Sequence, residues 1–143
     1  VVEYGDDLSI TEKDELLRYI YGGWIIDDPD EGKRVSSAAF RDHEDTPMSV
    51  FLRRELADVR STDIYKNGHR WVVTLSAGRL KAELGQRICL DPDPNAPVGH
   101  RYVVGPKKSG TARAAFTATY RWVIAPASYN GSRGQPEMID GDP

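Results

Sequence analysis

Apolar residues recur along the chain in two rhythms. Leu16, Leu17, Ile20 and Tyr21 follow the three- and four-residue spacing of a helical face. Thr11 with Asp14 three residues on resembles a capping box before it, and Gly22-Gly23 offers a stop. This predicts a first helix after Thr11. Shorter apolar runs predict strands at residues 24–26, 34–40, 48–52, 71–75, 88–90 and 102–104. The 71–75 run, Trp-Val-Val-Thr-Leu, is β-branched and nearly continuous, as a central strand requires. Leu52, Leu56 and Val59 suggest a short helix over residues 53–60. Ser76 caps a further helix that carries Leu80 and Leu84 and ends at Gly85. A last helix is expected over residues 111–124, closed by Pro126.

Strands and helices mix without βαβ alternation. The expected fold is therefore α+β: a mixed, largely antiparallel sheet with about three to four packed helices. Residues 1–10 read as a lead-in, 11–126 as a single globular domain, and 127–143 as a disordered tail poor in apolar residues. A chain of 143 residues suits one core.

Composition narrows the function classes. Charged residues make up 29% and hydrophobic ones 39%, and no apolar run is long enough to span a bilayer. The net charge of −3 argues against a dedicated nucleic-acid binder, which gains affinity through Lys and Arg. Cys89 is the only cysteine, which excludes an internal disulfide and a thiolate metal cage and points to a cytoplasmic location.

The most specific local signal is Gly105-Pro-Lys-Lys-Ser-Gly-Thr111 between a strand and a helix. Backbone N–H groups at a helix start, with two lysines beside them, suit an anion. The Walker order is broken, because Thr111 and not lysine follows the second glycine. Lys107, Lys108 and Ser109 are the expected ligand-binding residues, joined by Arg34 and Ser36 if these share one strand face. His100, after the proline-rich loop 91–97, is the catalytic candidate, since its ordinary titration range suits a general acid or base. His43 with its acidic neighbours lacks the spacing of a metal motif and reads as surface, and no metal or cofactor is expected. Cys89 reads as a small core residue.

Arg34-Val-Ser-Ser-Ala-Ala-Phe40, Met48-Ser-Val50 and Asp91-Pro-Asp-Pro-Asn95 together resemble a group of small uncharacterised bacterial proteins. The resemblance covers residues 16–124 and implies a bacterial or phage origin with no established activity. Two of the group's motifs are changed here, with Ile20-Tyr-Gly22 at the first and Val98-Gly-His-Arg101 at the second; only His100 carries over. A fainter analogy links Leu17-Arg18 and Ser36-Ser37 to ADP-ribosyltransferases.

These residues complete no known catalytic motif, so the sequence reads first as a non-enzymatic accessory or interaction module whose partner is another protein. The alternative is a small enzyme or binding domain for a phosphorylated or nucleotide-like ligand, held at the lysine loop.

Overall fold

The structure, a computed structural model, describes residues 2–107 and 110–143. Among these residues it contains nine strands and three α-helices, a strand-rich α+β arrangement. The strands are β1 (Glu15–Ile20), β2 (Ile25–Asp28), β3 (Gly32–Val35), β4 (Met48–Leu52), β5 (Trp71–Ser76), β6 (Arg87–Leu90), β7 (His100–Val104), β8 (Arg121–Pro126) and β9 (Met138–Asp140). The helices are α1 (Asp63–Lys66), α2 (Ala77–Leu84) and α3 (Gly110–Thr117). Seven strands form one sheet in the order β6-β7-β4-β1-β5-β8-β9, and β2-β3 is a separate hairpin. Every pairing is antiparallel except β8 with β9, which makes the sheet mixed.

The strand at Met48–Leu52 and the helix at Ala77–Leu84 lie where the apolar pattern places them. Ser76 Oγ accepts the Arg79 N–H, and Gly85 closes α2 at φ +62°, the left-handed region that glycine tolerates. The expected first helix is instead β1. Leu16 and Ile20 enter one core cluster, Leu17 and Tyr19 the other, so the segment is buried on two opposite faces. That pattern suits an internal strand, and β1 pairs with both β4 and β5. The Thr11–Asp14 contacts still form, with Thr11 N–H donating to Asp14 Oδ2 at 2.8 Å, but they close a turn and start no helix.

The helix expected over residues 111–124 ends at Thr117, and the aromatic and β-branched run that follows becomes β8. Residues 34–40 split into β3 and a 3-10 turn at Ser37–Ala39. Residues 53–60 hold two 3-10 turns, Arg53–Glu55 and Val59–Ser61 in part, in place of a short helix. Leu90, the last residue of the apolar run 88–90, is 47% exposed at the end of β6. The segment after Pro126, expected to be disordered, carries β9, a buried Tyr129 and an Arg133–Glu31 ion pair at 2.6 Å.

The sheet has an apolar cluster on each face. One gathers Leu16, Ile20, Val50, Val73 and Val103 with Leu80 of α2 and Phe116 of α3. The second gathers Leu17, Tyr19, Phe51 and Val72 under Leu56, Val59, Ile64 and Tyr65. Residues 53–66 thus cover part of the second face, and the remainder, over β4 and β7, holds the polar groups described next. No helix among the described residues is long and apolar enough to cross a membrane.

Candidate functional site

The register of β4 and β7 sets Ser49 opposite Tyr102 and Phe51 opposite His100. Side chains two residues apart share a face, so Ser49 and His100 are diagonal neighbours on the second face. The β6–β7 pairing reaches Leu90↔Arg101, and one step further brings Asp91 beside His100.

These three residues form a hydrogen-bonded chain. Ser49 Oγ bonds His100 Nε2, and His100 Nδ1 bonds Asp91 Oδ2 at 2.5 Å. An ionised carboxylate can only accept, which puts the imidazole proton on Nδ1. In the neutral ring Nε2 then accepts from the Ser49 hydroxyl. The His100 and Asp91 side chains retain 11% and 10% exposure, and Ser49 is also partly exposed. Chemically, this is a hydroxyl beside a base, and the base is oriented by a carboxylate.

Aromatic rings hold the imidazole in place. Phe51 meets the His100 ring edge to face at 5.3 Å, and Tyr102 does so at 4.8 Å. Tyr4 packs on Tyr102 in turn, 5.1 Å between centroids. Burial pushes the Tyr102 phenol up, with the charge of Asp91 acting the same way, so Tyr102 keeps its proton at neutral pH. Arg18 fixes the strand from below: its Nη1 donates to Ser49 O at 2.8 Å, while Nε and Nη2 both reach Ala39 O. Burial, reinforced by the like charge of Arg41, lowers the guanidinium to about 10, so it stays cationic at neutral pH. Beyond Phe51 opens a cleft of about 400 Å³, whose walls include Leu56, Thr62, Pro97 and Val98.

The expected anion loop does not come together among the described residues. Lys107 is 1% exposed, and its ammonium donates to Gln86 Oε1, Val103 O and Gly105 O at 2.8–3.0 Å. Asp42 lies 3.3 Å from the same ammonium. Burial lowers the Lys107 pKa, and Asp42 opposes the shift. Lys107 is therefore a buried structural cation whose donors are engaged. Lys108 and Ser109 lie outside the described residues. Arg34 donates to Asp28 Oδ2 at 2.9 Å. Ser36 sits past the end of β3 and caps the following 3-10 turn, accepting from Ala38 N, so Arg34 and Ser36 do not share a strand face. Arg18, one of the residues behind the ADP-ribosyltransferase analogy, spends its donors on Ala39 O and Ser49 O. Cys89 is fully buried in β6, and burial pushes its thiol up.

Of the expected site residues, His100 alone enters this cluster. Its partners Ser49 and Asp91 are absent from the sequence-based set. One signal was available for Ser49: it is the single polar residue of the run Met-Ser-Val-Phe-Leu. Asp91 offered less, being one of two acidic residues in a proline-rich loop.

Comparison with protein-family models, curated proteins and solved structures finds no match, so the site is read from its own geometry.

Proposed function

We propose that the protein is a small serine-type hydrolase, with Ser49 as nucleophile, His100 as general base and acid, and Asp91 as the group that orients His100. The observation that carries this reading is the continuous chain Ser49 Oγ, His100 Nε2, His100 Nδ1, Asp91 Oδ2. A serine hydroxyl is a weak nucleophile until a base takes its proton, and the base must present the correct nitrogen. Asp91 supplies that orientation.

The reaction follows from these roles. Ser49 Oγ attacks a carbonyl carbon while its proton passes to His100 Nε2. The carbon–leaving-group bond breaks, the leaving oxygen takes the proton from Nε2, and the acyl group remains on Oγ. Water then attacks the acyl carbon, gives a proton to Nε2 and displaces Ser49, which recovers its proton. The sum is ester plus water to carboxylic acid plus alcohol. Negative charge develops on the carbonyl oxygen during each attack. The protonated phenol of Tyr102, opposite Ser49 on the same face of the sheet, is the group proposed to offset it.

Treatment with a fluorophosphonate probe tests this directly. Ser49 Oγ would bond phosphorus, fluoride would leave, and the hydroxyl proton would depart with it as HF. Intact-mass spectrometry should show one adduct, mapped to Ser49, absent in Ser49→Ala and slowed in His100→Asn. Failure of the wild-type protein to label or to cleave activated esters would remove this reading and put the interaction-module reading first.

A further inference from the structure

We infer that the cleft beyond Phe51 is the subsite for the substrate's acyl portion, and that it takes an apolar chain carrying no negative charge. This rests on the reading of Ser49 as the nucleophile.

Three observations support it. The first is position. Phe51 belongs to the cleft wall and also packs against the His100 ring at 5.3 Å. Ser49 and Phe51 are two residues apart on one strand, which places the wall about 6.5–7 Å from the nucleophile. Pro97 and Val98 form another wall and lead directly into His100, whose backbone N–H donates to Pro97 O at 3.1 Å. A carbonyl held over Ser49 can therefore extend its chain across Phe51 into the cleft.

The second is chemistry of the lining. Phe51, Leu56, Ala57, Pro97 and Val98 supply carbon surface, and a volume of about 400 Å³ lies in the range of small-molecule sites. Transfer of methylene groups into such a cleft is favourable in proportion to the area removed from water.

The third is charge. The two ionisable residues of the lining are Glu55 and Asp63. Arg101 Nη2 binds Glu55 at 2.9 Å, while Asp63 is exposed and has no ion-pair partner among the described residues. An anionic chain end would meet the Asp63 charge without a free cation in the lining to answer it. A phosphorylated chain suits this cleft less well than a neutral one.

The test uses p-nitrophenyl esters from acetate to octanoate, together with the p-nitrophenyl monoester of adipic acid, on the full chain. In every case the acyl group transfers to Ser49 Oγ, p-nitrophenol leaves with the serine proton, and water then releases the acid. We expect kcat/KM to rise about three-fold per methylene until the cleft is filled. The adipate monoester should fall below hexanoate by about ten-fold or more. Ala57→Trp and Val98→Asp, both at exposed positions that spare the core, should flatten the chain-length profile. Independently, Ser49→Ala protein should bind N-methylhexanamide saturably by NMR titration, and Ala57→Trp added to it should abolish that binding. An active protein with a flat chain-length profile overturns the subsite and leaves Ser49 standing. Amide binding without cleavage of any ester overturns the hydrolase reading while retaining the cleft as an apolar-chain site. Neither binding nor cleavage overturns both.

Discussion

His100 Nδ1 lies 2.5 Å from Asp91 Oδ2, between side chains each only about one-tenth exposed. An ionised carboxylate accepts and cannot donate, so Asp91 holds the imidazole proton on Nδ1 and leaves Nε2 facing Ser49. Asp91→Asn keeps the shape and loses the charge, and its amide nitrogen can turn toward Nδ1 and favour the wrong tautomer. Loss of kcat of about 10²–10⁴ is expected, with little change in KM. Ester kinetics on the variant check it; a KM effect alone would make Asp91 a binding residue.

Tyr120 ties the hairpin to the sheet. Its hydroxyl accepts the Val35 N–H at 3.0 Å, its ring lies under the Arg133 guanidinium at 3.9 Å, and it is 2% exposed. Tyr120→Phe leaves a buried N–H without its acceptor, and a loss of about 1–3 kcal/mol is expected in urea titration.

The same residue predicts alkaline behaviour. Burial raises the Tyr120 phenol from an ordinary 10.0 to about 12. A group whose folded pKa is raised contributes stability that is complete below its unfolded value and is lost as pH climbs through the folded one. Wild-type stability should therefore fall between about pH 10 and 12. The decline should be shallower in Tyr120→Phe, as measured by thermal melts across that window.

Asp7 is one of the carboxyls through which acid acts. Burial pushes its carboxyl upward, but hydrogen bonds from Ser9 and Arg101, with the Arg101 charge, hold it below its ordinary 3.8. Here the folded pKa is depressed. The contribution is present above 3.8 and is lost as pH falls through the folded value. Asp7→Asn should lower stability at neutral pH, because it strips Arg101 of a partner at 2.7 Å. It should also flatten the acid limb of a pH–stability curve relative to wild type.

The C-terminal segment is predicted to matter for stability. β9 pairs with β8, Met138 packs on the second core cluster, and Arg53 bridges Glu15 and Glu137. Tyr129 is 9% exposed against Trp122. Truncation after Pro126 should cost on the order of 2–4 kcal/mol, chiefly by uncovering apolar surface. Equal denaturation midpoints for the full and truncated chains would show that the segment is dispensable.

Several elements were legible because their determinants are local. Met48–Leu52 and Trp71–Ser76 are apolar, β-branched or aromatic runs bounded by polar residues, and α2 carries both of its caps in its own sequence. β1 and β8 were not. Leu16 and Ile20 fall on one face of a helix and equally on one face of a strand, so spacing alone cannot separate the two. Burial of Tyr19 on the opposite side from Leu16 settles it, and that depends on the strands and loops that arrive later in the chain. Lys107 shows the same limit: a lysine beside glycine and serine suits an anion loop, until Gln86 and Asp42 close over its ammonium.

The sequence by itself determined an α+β chain with a largely antiparallel sheet and a capped second helix, and it singled out His100 as a candidate. Tertiary structure alone decided what His100 meets. Ser49 is 51 residues away along the chain, and Asp91 is 9 residues away across a proline-rich loop. Their meeting depends on the registers of β4 with β7 and of β6 with β7, which a shift of one residue would undo by turning each side chain to the opposite face. Register is set by packing on both faces of the sheet, a property of the whole fold that no short segment encodes.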